Sequence, residues 1–323
     1  MRRVITLLLV ATLLLASTIG SANPNGVGEG TFDAQCGGAC HGDADMNRTS
    51  ASTVMVSGPA TAYTGLPTSV DVTVSNIETT VSGLLGIFLL SDLSGAGDTP
   101  EDDGWDIVSN SEGGSLNYVE VLISPGQKEH TVSWTLRAPE IGTYDLHAAI
   151  HHGTQDGSGA PFFGSSIQPM EVGVVPVPEN LPRLAASFEP PVVRAVGEAT
   201  SVQLITEAVD SMEVEWRVSG GPVQTTTVER VDQGTWTFDL PASLQPVTVE
   251  WRAHLRGDGP DQPTPWFALQ SEDPSLSVDR TAAYVQSLAM LLMFMVAFMS
   301  LQRRAGLETE ATKEDAFSME VER

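Results

Sequence analysis

Between residues 70 and 255 the apolar side chains fall at every second position, over and over, and that period decides what the chain can become. Val70, Val72 and Val74 alternate with Asp71, Thr73 and Ser75, so one face of the segment is greasy and the other wet, the signature of a half-buried strand. Leu84–Leu90 is instead a continuous apolar run, as expected of a strand covered on both faces. Tyr118–Ile123, Thr131–Leu136 and Tyr144–Ile150 complete a first set, and no amphipathic helix interrupts it. A second set follows at Ser201–Ile205, Met212–Val218, Thr225–Val231, Thr235–Leu240 and Val247–Leu255, with Trp216, Trp236, Trp251 and Trp266 as large core or edge pieces. Short strands separated by turn residues predict an all-β architecture of two antiparallel β-sandwich domains. The proline-rich stretch Val175–Leu184 reads as a semi-rigid linker between them. The predicted boundaries are 23–174 for the first sandwich and 185–278 for a second, immunoglobulin- or fibronectin-like one that lacks cysteine altogether.

The two ends carry a different signal. Arg2 and Arg3 precede an apolar run, and Gly20 and Ala22 sit where a signal peptidase expects small residues, so 1–22 reads as a secretory signal peptide. Ala282–Leu301 is a run of twenty residues without a formal charge; as a helix it reaches roughly 30 Å, the thickness of a bilayer's hydrocarbon layer. Arg303 and Arg304 follow, and basic residues stay on the cytoplasmic side. The expectation is a single-pass protein of the cell membrane: N-terminus outside, membrane lipid around 282–301, and a short acidic cytoplasmic tail at 302–323.

Charge narrows the partners. All 41 acidic residues follow position 22 and six are in the tail, which leaves 35 outside against ten Lys and Arg, a net of about −25. Such a surface repels nucleic acid and anionic lipid and stays soluble in salt. No nucleophile elbow, phosphate-cradling glycine loop or zinc-protease helix occurs, which argues against a hydrolase or kinase and favours an electron carrier or binding protein.

The chemistry concentrates in Cys36-Gly37-Gly38-Ala39-Cys40-His41, which uses both cysteines of the chain. Two thiols followed at once by an imidazole are how a chain holds haem covalently, the cysteines on the vinyl groups and the histidine on the iron. The usual spacing has two residues between the cysteines and this chain has three; Gly37 and Gly38 supply backbone freedom to absorb the extra one. Two other chemistries use the same residues. The cysteines could close a disulfide, which in so small a loop stabilises weakly, or join His41 in a copper or zinc site completed by His147, His151 or His152. The adjacency of His41 favours haem, because a disulfide gains nothing from that neighbour. His151 or His152, where a strand leaves the sheet, is the expected distal ligand, ahead of Met46, Met55 or Met170. His147 and His151 share a strand face about 13 Å apart, too far to hold one small ion together. Haem c predicts electron transfer to an extracytoplasmic redox partner, or haem-linked sensing. The disulfide predicts a non-enzymatic adhesion or ligand-binding surface protein. A carboxylate-rich loop (Asp92, Asp98, Glu101, Asp102, Asp103, Asp106) lacks EF-hand spacing and reads as solvated. Asn47-Arg48-Thr49 is a glycosylation sequon.

Several short motifs run in a recognisable order: Asn25–Gly30, Cys40-His41-Gly42, Tyr63-Thr64-Gly65-Leu66-Pro67, Gly86-Ile87-Phe88, Trp134-Thr135-Leu136-Arg137-Ala138-Pro139 and Tyr144–Gly153. In this the span 23–174 resembles the reeler-like, choice-of-anchor domains of bacterial surface proteins. The resemblance implies a secreted β-sandwich fixed to the cell surface by a variable C-terminal device, in this chain the transmembrane helix.

Overall fold

The computed structural model describes residues 49–77, 83–93, 99–152, 162–273 and 280–321. More than half of it is strand, 53%, arranged in four sheets that face one another in two pairs.

In the first pair, one sheet has the order β1 (Thr53–Ser57), β3 (Pro67–Ser75), β7 (Glu129–Arg137), β5 (Asp106–Asn110). Its partner runs β2 (Thr61–Tyr63), β10 (Met170–Val175), β8 (Gly142–His152), β4 (Gly83–Leu90), β6 (Tyr118–Ile123), with β9 (Phe162–Ser165) hairpinned onto β8. The alternating valines of β3 all point inward, where Val70, Val72 and Val74 are fully buried against Trp134 and Leu136 of β7 and Leu146, Ala148 and Ile150 of β8. Each such side chain contributes about 1.5–3 kcal/mol of burial free energy. The outward positions of β3 pair instead through polar groups such as Thr73 and Thr131, 2.9 Å apart.

The second pair repeats the plan. β11 (Arg183–Leu184), β13 (Thr200–Glu207), β17 (Thr235–Leu240) and β16 (Val228–Asp232) form one sheet. β12 (Val193–Ala195), β20 (Phe267–Glu272), β18 (Val247–Arg256), β14 (Ser211–Val218) and β15 (Gln224–Thr226) form the other, with β19 (Gln262–Pro263) on β18. This is the A-B-E-D sheet facing G-F-C-C′ of immunoglobulin variable-type domains. The run Thr225–Val231, which reads as one strand, is two: residue 227 falls between β15 and β16, and they join opposite sheets. No cysteine pins the sheets together. Trp251 does that work, fully buried, with ring centroids 4.7 Å from Phe267, 5.1 Å from Phe238 and 6.2 Å from Phe188.

Both six-stranded sheets finish in a short parallel strand, β2 on β10 and β12 on β20, while the other pairings are antiparallel. Between the β4 and β7 of the first sandwich the two intervening strands are exchanged relative to the second. There β5 goes first to the β7 sheet and β6 returns to β4, whereas β15 stays beside β14 and β16 crosses to β17.

The sandwiches belong to one compact unit ending at Asp273. Val108 of β5 is buried in the second core, and Thr135 donates to the carbonyl of Trp266 at 2.8 Å. Arg137, at the end of β7, crosses the joint. Its Nη1 donates to the Ala186 carbonyl at 2.9 Å and its Nη2 to that of Phe188 at 3.0 Å, with Glu189 at 3.1 Å and Asp106 at 3.3 Å. The proline-rich segment expected as a spacer supplies β11, and its Leu181 and Leu184 are buried.

The second unit holds one helix, α1 (Arg280–Val321), of 42 residues. Its segment Tyr284–Arg303 is long and apolar enough to cross a membrane, with a mean hydropathy of 1.9 and none of its side chains buried. The chain is thus all-β with one candidate membrane-spanning helix.

Candidate functional site

Cys36, Cys40, His41, Met46 and the signal segment lie outside the described residues; the β8 histidines lie within them. Leu146, Ala148 and Ile150 face the core, and the alternation puts His147, Ala149 and His151 on the outward face of the sheet. That face is not wet near His151. Ala149 joins Phe88, Leu90 and Tyr118 in a small second apolar cluster, every member buried.

His151 is 7% exposed. Its ring lies among Phe88, Tyr118 and Phe163, with centroids at 5.5, 5.7 and 6.4 Å. Its Nε2 is 2.7 Å from the Tyr118 hydroxyl, which is also 2.7 Å from Glu120 Oε1. The proton inventory follows from the chemistry of the partners. A carboxylate only accepts, so Tyr118 gives its one hydrogen to Glu120 and Nε2 must donate to the Tyr118 oxygen. Directly across the sheet from His151 stands Gly86, and the ring fills the place of the missing side chain: a Cβ there would sit 1.9 Å from Nε2 and 2.7 Å from the Tyr118 oxygen. A glycine inside an apolar strand is the signal for such a close approach; the run Gly83–Leu90 carried it in plain sight.

His152 turns the other way. Its Nε2 is 2.7 Å from Ser50 Oγ, and its ring stacks on Phe162 at 5.3 Å. Ser50 belongs to the chain arriving from the cysteine motif. Its amide donates to the Phe163 carbonyl, and Thr49 makes a bridge to Phe163. Thr49 is eight residues past His41, a reach of roughly 28 Å at full extension. Thr49 and Ser50 are thus tied down at β9, beside both β8 histidines. His147 lies opposite Leu90, and its Nδ1 is buried without a hydrogen-bond partner among the described residues.

The other ligand candidates are placed elsewhere. Met55 is 55% exposed on β1, and Met170 packs against the first core with its terminal methyl over Gly58. Asp102 of the acidic loop caps a 3-10 turn (Pro100–Asp103) by accepting from the Thr99 amide at 2.9 Å. Among the described residues no group of three or more His, Cys, Asp or Glu side chains is placed to hold a metal ion. The surroundings of His151 are aromatic and buried.

The outward face of the second sandwich has a polar character that periodicity did not reveal. Glu215 bonds Arg252 at 2.8 Å and lies 3.1 Å from His254. Arg217 bonds the buried Glu250 at 2.7 Å, and both Arg217 and Arg252 lie over the Trp266 ring, at 4.3 and 4.5 Å. The His254 contact, then the Arg252 bond, hold the Glu215 carboxyl below its ordinary pKa.

No family model matches the chain, and no curated protein matches it. Among solved structures, a marsupial T cell receptor aligns with 69% of this chain and 96% of its own at 13% identity. Its TM-score of 0.23 is too low to carry an argument.

Proposed function

We propose that this chain is a membrane-anchored extracytoplasmic protein whose first sandwich carries a covalent c-type haem on Cys36, Cys40 and His41, for one-electron transfer or haem-linked sensing at the cell surface. The observation that carries the reading is the docking of the post-motif segment. Ser50 bonds His152, and the Thr49–Phe163 bridge adjoins His151, so Thr49, eight residues after His41 in sequence, is fastened at the strand end where the second-ligand candidates sit. A haem so bound supplies a one-electron couple. The protein's own contribution is orientation and dryness. The Glu120–Tyr118 pair holds the His151 ring in place, and Phe88 and Phe163 shield that ring from water. The signal segment and the Arg303–Arg304 pair support an orientation with the sandwiches outside.

A second reading has an observation of its own. The Nε2 atoms of His151 and His152 already hold hydroxyl partners at 2.7 Å, as they would in a sandwich with no cofactor, a Cys36–Cys40 disulfide and a binding role. A denaturing gel stained for haem peroxidase activity separates the two, using full chain made with haem-maturation machinery. The expected result is a stained band, and His151→Ala or His152→Ala shifts the absorption spectrum toward high spin. An unstained band with a mass two hydrogens below the reduced chain refutes the haem reading. Unchanged spectra in both variants refute the distal assignment alone.

A further inference from the structure

The short strand β12 places an arginine where the pattern demands an apolar side chain. Arg194 stands opposite Ser271 across the parallel β12–β20 pair, and on β20 Phe267, Leu269 and Ser271 alternate onto the same inward face. Phe267 and Leu269 are core residues, so Arg194 enters the end of the second core, 6% exposed. Its Nε donates to Ser271 Oγ and its Nη2 to Ser243 Oγ, each at 2.9 Å. Its Nη1 is buried and has no partner among the described residues. Ser243 belongs to the 241–246 connection, which is fastened over this end by the Gly197 amide donating to the Ser243 carbonyl at 2.8 Å.

A guanidinium keeps its charge under any ordinary condition, and a buried charge needs a counter-charge. Among the described residues no carboxylate lies within 4.0 Å of Arg194. Glu198 acts on it only from a distance, and its Oε2 accepts from the Ala195 amide at 3.4 Å. Both serine oxygens already accept from the guanidinium, and neither hydroxyl donates to another group among the described residues. What is left over is therefore all donor: the Nη1 hydrogens and two hydroxyl hydrogens, with no acceptor; Ser271 sits on the Nε edge of the planar guanidinium, away from Nη1, so a small ion at Nη1 can share the Ser243 hydroxyl but not that of Ser271. A water molecule would accept some of these but bring two more donors and no charge. An anion supplies acceptance and charge together, and the burial of Arg194 and of Ser271, 1% exposed, restricts it to a small one.

We infer that Arg194 Nη1 and Ser243, with Ser271 holding the guanidinium in place, form an internal binding site for a small monovalent anion of the halide class in the second sandwich. The ion completes the hydrogen bonding of the guanidinium and locks the 241–246 connection to the end of β12. Because it binds only the folded chain, it stabilises by mass action.

The test uses the full chain in detergent, with chloride as the probe. Chloride NMR lines should broaden in the presence of wild-type protein, beyond what Arg194→Met produces under the same conditions. The thermal midpoint should fall when chloride is replaced by gluconate at constant ionic strength, in the wild type and not in the variant. Ser243→Ala, in a surface connection, keeps the test readable even where Arg194→Met loses the fold, and should lose most of the excess broadening. Equal broadening from wild type and Ser243→Ala overturns the proposal, as does a midpoint indifferent to the identity of the anion.

Discussion

Replacing Arg137 by methionine should weaken the joint between the sandwiches more than any single surface charge change. Its side chain is 15% exposed, while the two carboxylates it meets, Asp106 and Glu189, are 62% and 74% exposed. Those ion pairs are screened, and each is worth about 0–1 kcal/mol. The bonds to the Ala186 and Phe188 carbonyls, at 2.9 and 3.0 Å, involve a charged donor and are worth about 1.5–3 kcal/mol each before non-additivity. Methionine retains most of the apolar stem, so the expected loss is roughly 3 kcal/mol, which follows from the two carbonyl bonds alone. Equilibrium urea unfolding of the full chain in detergent, read by tryptophan fluorescence, measures it. Glu189→Gln is the control, removing one exposed pair and costing under about 0.5 kcal/mol. If Arg137→Met shifts the transition no further than the control, the joint does not depend on this arginine and the reasoning fails.

Two further outcomes follow from the same coordinates. Gly86→Ala puts a methyl where His151 Nε2 now lies. It should cost about 1–3 kcal/mol of stability through overpacking, measured by thermal melts, and a haem-loaded variant should show a perturbed spectrum while Gly83→Ala, with open space around it, should not. Glu215 has its folded-state pKa below the ordinary 4.5, so its interactions with His254 and Arg252 stabilise the fold above that value and are lost as pH falls through the lower, folded one. Glu215→Gln should flatten the acid limb of a stability–pH profile, and an unchanged limb would contradict the assignment.

How much of this was legible depended on whether a residue's role was periodic. Valine alternation located β3, and the unbroken apolar run located β4, because burial repeats with the pleat. The edge strands β1, β2, β11 and β12 are two to five residues long, too short for any period to declare itself, and they are held by pairing with residues fourteen or more positions away. The division between β15 and β16 was hidden for a related reason, since residue 227 changes sheet without changing polarity. The histidines on β8 were readable as candidates from composition. Their partners were not: Tyr118, Glu120 and Ser50 reach them only through strand pairing, and Gly86 became meaningful once β4 lay beside β8. Arg194 showed no sign at all, since a lone arginine in Val193–Ala195 resembles any surface cation until its neighbours are known.

The brevity of four of the outermost strands has a consequence for how neighbouring copies can meet. β2 and β12 offer a neighbour three residues of open backbone each, β11 two and β15 three, with Pro59 and Pro67 flanking β2 and Pro190 and Pro191 preceding β12. Ribbons so stunted give a second molecule almost nothing to zip onto. Along those four rims copies packed side by side can jostle without knitting together, whereas the five- and six-residue edges β1, β5, β16 and β6 still offer backbone to a neighbour.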